Sequence, residues 1–325
     1  MSNFKEVEEK VFSLYRDGKY EEALQFVQKI KKNYLKYLSR LYYYEACLLS
    51  VLNKKDEAIK ILNEALNFGF WWSVNTLNNE KDFNSIRDSI EFKEIIEKIK
   101  KIEDKEKKLI KREYLIFEPI EIDKNKNYPI LIFLHPRDSN VYDFSKYFDL
   151  DNLKKNYYLL FPQSPIKTSF DGYSWDDAET SYKEIIEILK EVLEKYKNIN
   201  NQEIVISGAS QGARISLEIY LKKLINLKGW IGIIPAFRDL NYLFPLLDSL
   251  KGENLKFSFI VGKKDYYFYK IAYELNNELI KREFKTLFIE NENLGHSIPK
   301  NFEEQLFNCL NFIFGFPKFY KQNYY

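Results

Sequence analysis

Two patterns of apolar and polar positions divide this chain. From about residue 106 onward, short apolar, β-branched runs bounded by turn residues alternate with amphipathic helical stretches, the pattern of an α/β domain. The runs predict strands over 114–117, 129–134, 157–161, 203–207, 228–234, 257–261 and 286–289. Helices are predicted between them over 178–197, 211–224 and 268–282, with a last one over 302–314. Several runs are apolar on both faces, as a parallel sheet covered by helices requires. About 220 residues suffice for one doubly wound domain, and a site in such a sheet lies beyond the carboxyl ends of the strands. The earlier part is built differently. All nine prolines lie at or beyond Pro119, and only Gly18 and Gly69 of the eleven glycines precede Gly172. A proline-free segment of that length reads as helical. The boundary is expected at 105/106, within the charged stretch 100–108, which reads as a solvated helix end, with a basic docking patch as the alternative.

The helical part contains an internal repeat. Leu14-Tyr15-Arg16-Asp17-Gly18-Lys19-Tyr20-Glu21-Glu22-Ala23-Leu24 is echoed by Ala46-Cys47-Leu48-Leu49-Ser50-Val51-Leu52-Asn53-Lys54-Lys55-Asp56-Glu57-Ala58-Ile59, closing with Leu62 and Ala65, and Ala23 and Ala58 are 35 positions apart. Small residues there let two helices cross closely, and Gly18 or Asn53 can take the left-handed turn between them. Residues 8–70 thus resemble tetratricopeptide repeats, although the usual Trp and terminal Pro are missing. The resemblance implies a surface for a protein partner; a packing module or a lid over the strand ends is the alternative. Trp71 and Trp72 could anchor such a partner or pack a domain junction.

Composition narrows the function. Lys and Arg number 50 against 48 Asp and Glu, a net charge of +2. That balance gives no electrostatic case for nucleic acid or an anionic membrane. Cys47 and Cys309 cannot form a disulfide framework, and His135 and His296 are too few for a multi-histidine metal site. No metal or cofactor is implied. Mean hydropathy is −0.44, no apolar run approaches a membrane span, and the first ten residues carry no apolar signal-peptide core. A soluble, cytoplasmic protein is expected.

The chemistry concentrates in Glu203-Ile204-Val205-Ile206-Ser207-Gly208-Ala209-Ser210-Gln211-Gly212-Ala213-Arg214, which reads as a strand, G-x-S-x-G, then a helix. A serine hydroxyl is a poor nucleophile unless it is held out beside a base. A sharp strand-to-helix turn does this for Ser210, and side chains two positions either side would collide, so Gly208 and Gly212 fit. Composition alone would produce the bare pattern about 0.02 times in a chain of this make-up. The base is assigned to His296, in the loop after the last predicted strand, and the acid to Asp265, after the 257–261 strand. Asp239, after the preceding strand, is the rival acid, and an aspartate at such a place can also simply cap a helix. One oxyanion donor is expected in the backbone N–H of Gln211.

On these residues, with Leu134-His135, Gly262 to Asp265 and Gly295-His296, the stretch 113–316 resembles the α/β-hydrolases, closest to small carboxylesterases, lysophospholipases and dienelactone-hydrolase-like esterases. The resemblance implies an α/β-hydrolase domain over 106–325 preceded by the helical domain over 1–105. It also implies a structural role for His135. Phe161-Pro162-Gln163-Ser164-Pro165 and Gly172-Tyr173-Ser174-Trp175-Asp176 are similar to a segment of such esterases in which the Trp lines the substrate pocket, so Trp175 is a pocket candidate beside a plain packing role. The family has His-Gly at the oxyanion loop where this chain has His135-Pro136. Proline has no N–H, so the second donor falls to Arg137. The function implied is cleavage of a small-molecule carboxylic ester through an acyl-enzyme on Ser210. A peptidase or thioesterase with the same triad, or a hydrolase-fold scaffold binding a protein through the helical repeats, are the alternatives.

Overall fold

The computed structural model describes residues 4–107 and 112–315. The chain divides into two compact units, Met1–Ile110 with Lys167–Gly172, and Lys111–Ile166 with Tyr173–Tyr325. The expected boundary at 105/106 falls inside a helix that runs on to Lys107. Residue 108 of the charged stretch and residues 316–325 of the expected α/β domain lie outside the described residues.

The first unit consists of α1 (Phe4–Arg16), α2 (Tyr20–Ile30), α3 (Leu38–Val51), α4 (Lys55–Asn67), α5 (Val74–Asn79) and α6 (Ile90–Lys107), with short 3-10 turns. The repeat seen in the sequence corresponds to two helical hairpins with the same turn. Gly18 and Asn53 both take positive φ, 72° and 59°. Lys19 N–H donates to Leu14 O and Lys54 N–H to Leu49 O, each at 2.9 Å. Ala23 and Ala58 are fully buried, as close helix crossing requires. Trp71 and Trp72 are buried as well. They meet the 167–172 segment: Trp72 bridges Ser169, and Phe170 N–H donates to Trp71 O at 2.8 Å. The pair therefore packs against a stretch of its own chain.

The elements that follow along the chain are β1 (Tyr114–Phe117), β2 (Tyr128–Leu134), α7 (Val141–Phe144), α8 (Leu150–Leu153), β3 (Tyr158–Pro162), β4 (Ile166–Lys167), β5 (Tyr173–Ser174), α9 (Ala178–Lys195), β6 (Ile199–Ala209), α10 (Gln211–Leu221), β7 (Gly229–Ile233), α11 (Phe244–Ser249), β8 (Lys256–Gly262), α12 (Tyr266–Lys281), β9 (Lys285–Asn291) and α13 (Phe302–Phe314), all in the second unit but for Lys167 of β4. Seven of these strands form one sheet in the order β1-β3-β2-β6-β7-β8-β9. Only β1 runs antiparallel, against β3; the others pair in parallel, for example Ile132 with Ile206 and Ile206 with Trp230. The double-sided apolar runs are explained by the two cores. Ile130, Ile132, Ile204, Ile206 and Phe259 face Ile185 and Ile188 of α9, Ile215 and Leu217 of α10, and Leu275 of α12. Their neighbours Leu131, Phe133, Val205, Ile231 and Ile260 face Val141, Phe144 and, on α13, Leu306, Leu310 and Ile313. Because side chains alternate across a strand, covering both faces favours apolar residues at nearly every position, Ser207 in β6 and Ser258 in β8 being buried exceptions.

Among the described residues, no helix is long and apolar enough to cross a membrane. The short elements β4, β5, α7, α8 and α11 have no counterpart in the sequence pattern, since two to six residues are too few to display a period. The expected helix 211–224 ends instead at Leu221, where Lys223 turns left-handed at φ 52°.

Candidate active site

The carboxyl ends of five strands, β2, β6, β7, β8 and β9, meet here. Immediately after β6, Ser210 sits at φ 53°, ψ −113°, between the last strand residue and the first residue of α10. A non-glycine residue held there is strained, and its surroundings fix it. Ser210 N–H donates to Ile233 O at 2.9 Å, and Ser210 O accepts from Ala236 N–H at 3.2 Å. The two flanking glycines are required sterically. A Cβ on Gly208 would stand 2.3 Å from the backbone C and O of Gly212, and one on Gly212 would stand 2.4 Å from Leu134 O. The elbow thus wedges between its own helix and the end of β2.

Asp265 follows the end of β8 and His296 follows the end of β9. The two loops are laced by Lys263 N–H to Asn291 O at 3.0 Å and Lys264 N–H to Leu294 O at 2.9 Å. Gly262 permits the approach, since a Cβ there would meet Leu294 O at 2.4 Å. His296 Nδ1 lies 2.5 Å from Asp265 Oδ2, and His296 Nε2 lies 2.8 Å from Ser210 Oγ. The imidazole is about one-third exposed, its side chain at 34% against 13% for Asp265. Its ring also rests on Phe268 of α12, centroids 5.1 Å apart. Nδ1 bonded to a carboxylate leaves Nε2 free to accept the serine proton, which is the arrangement general-base activation needs. Asp239 has a different occupation: its Oδ1 accepts from Asn241 N–H at 2.9 Å, closing a local turn.

The other residues read from the sequence lie around this group. Gln211 is the first residue of α10, so its backbone N–H has no intrahelical acceptor. Arg137 follows Pro136 in the loop after β2. Its guanidinium Nη1 donates to Asp176 Oδ1, and its Nε lies 3.4 Å from Asp138. His135 is wholly buried. Its Nδ1 donates to Pro136 O at 2.8 Å, while Nε2 accepts from Ser164 N–H at 3.2 Å and faces Gln163 Nε2 at 3.0 Å. Burial pushes its pKa down to about 4, so the ring is neutral at pH 7.

Trp175, a pocket candidate beside a plain packing role, has no exposed side-chain surface. The indole N–H donates to His135 O at 2.8 Å, and the ring packs on the His135 imidazole with centroids 4.8 Å apart. It buttresses the loop after β2 from behind. Asp176, its neighbour, received no role from the sequence and turns out to sit in the site. Desolvation works to raise its pKa, yet the hydrogen bond and charge of Arg137 outweigh it and hold the carboxyl below its ordinary value. Only the Trp-Asp resemblance pointed toward it. Among the described residues, no group of three or more His, Cys, Asp or Glu side chains could hold a metal ion.

Comparison with known proteins bears on the fold. Residues 3–107, a stretch that contains the repeat-like residues 8–70, match the family described as the A/B hydrolase-like, N-terminal domain. No curated protein matches the chain. Among solved structures, it is similar to an uncharacterized protein from Bacillus cereus ATCC 10987 at 23% identity and a TM-score of 0.54, over 96% of this chain and 98% of that one. It is also similar to esterase PE8 at 16% identity, TM-score 0.49, over 63% and 100% of the two chains. A Staphylococcus aureus S-formylglutathione hydrolase matches at 14% identity, TM-score 0.49, over 62% and 90%. With the sheet order and the helices on both of its faces, the chain has an α/β-hydrolase fold preceded by an N-terminal helical region.

Proposed function

We propose that the protein is a serine hydrolase that cleaves carboxylic esters through an acyl-enzyme on Ser210. The observation carrying this reading is the chain of contacts from Ser210 Oγ to His296 Nε2 at 2.8 Å and from His296 Nδ1 to Asp265 Oδ2 at 2.5 Å. In the first half-reaction Ser210 Oγ attacks the ester carbonyl as His296 Nε2 takes its proton. Asp265 holds the ring orientation and stabilises the imidazolium. The oxyanion is met by the backbone N–H groups of Gln211 and Arg137. Collapse expels the alcohol, which takes the proton back from His296. Water, deprotonated by the same imidazole, then releases the acid and restores Ser210.

The choice of an ester rests on the resemblance to small esterases; thioesters and amides would pass through the same steps. For the helical unit, the matched turns at Gly18 and Asn53 support a repeat of tetratricopeptide type.

Labelling of the full chain with a fluorophosphonate, followed by mass-spectrometric mapping, tests the nucleophile. The adduct is expected on Ser210 and is expected to vanish in Ser210→Ala. An adduct elsewhere, or none on the intact protein, would remove the assignment. Rates on a p-nitrophenyl ester, a thioester and a p-nitroanilide then sort the bond cleaved.

A further inference from the structure

Asp176 stands between the two residues whose backbone N–H groups are proposed to bind the oxyanion. Its Oδ1 accepts from Gln211 Nε2 at 2.8 Å and also from Arg137 Nη1. The other end of the Gln211 amide, Oε1, accepts from Trp175 N–H at 2.9 Å. With both ends of its amide engaged, the Gln211 side chain cannot change rotamer without breaking one of these bonds. On the opposite side, Trp175 Nε1 donates to His135 O at 2.8 Å. Two consecutive residues, 175 and 176, therefore grip both the first turn of α10 and the loop after β2.

We propose that Asp176 is a positioning residue for oxyanion binding: its carboxylate ties Gln211 to Arg137 and so sets the separation and aim of their backbone N–H groups. The inference rests on the reading of Ser210 as the nucleophile. Physically, a hole made of two donors works only while both point at one oxygen, and these two lie far apart in sequence, on different strand ends. A local side chain bonded to both is the means of keeping them in register. The charge matters more than the volume. An asparagine could still accept from Gln211 Nε2, but it would lose the charge-assisted bond that draws the guanidinium in. The Asp176 side chain is 42% exposed, so the ion pair contributes little to global stability. A positioning role and a structural one consequently predict different results.

The test uses the full chain with p-nitrophenyl acetate as substrate and the fluorophosphonate probe at Ser210. Asp176→Asn is expected to lower kcat by about tenfold to a hundredfold, with KM within twofold, an unchanged melting temperature and slower labelling. Asp176→Glu, which keeps the charge, is expected to recover part of that loss. Intact protein labelled at Ser210, with Asp176→Asn labelled and turning over at the same rate, would overturn this inference alone. A matching loss in kcat and melting temperature for Asn, not relieved by Glu, would reduce Asp176 to a structural residue and overturn it too. Absence of labelling in the intact protein would take down the reading of Ser210, and this inference with it.

Discussion

The two histidines show how much a side chain's surroundings decide. His296 is partly exposed, with a carboxylate on one nitrogen and a hydroxyl on the other. His135 is enclosed, with one nitrogen donating to Pro136 O of its own loop and the other accepting from Ser164 N–H of the segment after β3. Its folded-state pKa of about 4 lies below the ordinary 6.5, so between these values the unfolded chain binds a proton that the folded one refuses. The stability linked to His135 is thus fully present above pH 6.5, declines as pH falls toward 4, and is level below that. The total is about 3 kcal/mol. Urea unfolding between pH 4 and 7 should show His135→Asn losing less stability on acidification than the parent by an amount of that order; parallel curves would mean the ring is not held neutral. Ser210 carries the other constraint at this scale, a left-handed backbone that no apolar packing would choose by itself.

Among the elements, the strand-to-helix turn is the most tightly specified. The backbone of Gly212 passes so close to Leu134 O that an alanine Cβ would fall at 2.4 Å. Backbone must move to admit it, and α10 is pinned beneath by fully buried Ala213, Ile215 and Leu217. Gly212→Ala is expected to lose about 1–3 kcal/mol, the usual cost of overpacking, and to abolish labelling of Ser210 because the elbow opens. Unfolding midpoint and labelling rate check the two together; a variant with parental values for both would show that the turn has slack. The G-x-S-x-G spacing was legible for this reason: such contacts leave no alternative to glycine. By contrast β4 and β5, two residues each, leave no periodic trace, and Asp176 lies just past β5, where the pattern is silent.

For the molecule as a whole, the proposed triad draws residues 210, 265 and 296 from the ends of three parallel strands. Groups acting as one unit do not contribute independently. Ser210→Ala and His296→Ala are each expected to remove nearly all esterase activity, and the double variant should fall within about threefold of the worse single one. Measured kcat/KM values whose losses multiply would indicate separate roles.

The sequence by itself determined the helical first part, the alternating strands and helices, and the serine in its glycine-flanked turn. It could do so because burial on both sheet faces, proline's missing N–H and glycine's missing Cβ each leave a local mark. It also narrowed the candidates for the proposed base to two histidines, by their scarcity. Only the tertiary structure brings Asp265, and not Asp239, against His296, because strand-end loops become neighbours through sheet order, and β8 beside β9 is a long-range pairing. It likewise buried Trp175 against His135, and brought Asp176 between Arg137 and Gln211. Which side chains meet across a sheet's edge depends on register and on how loops are laced, and neither is written in the period of any one segment.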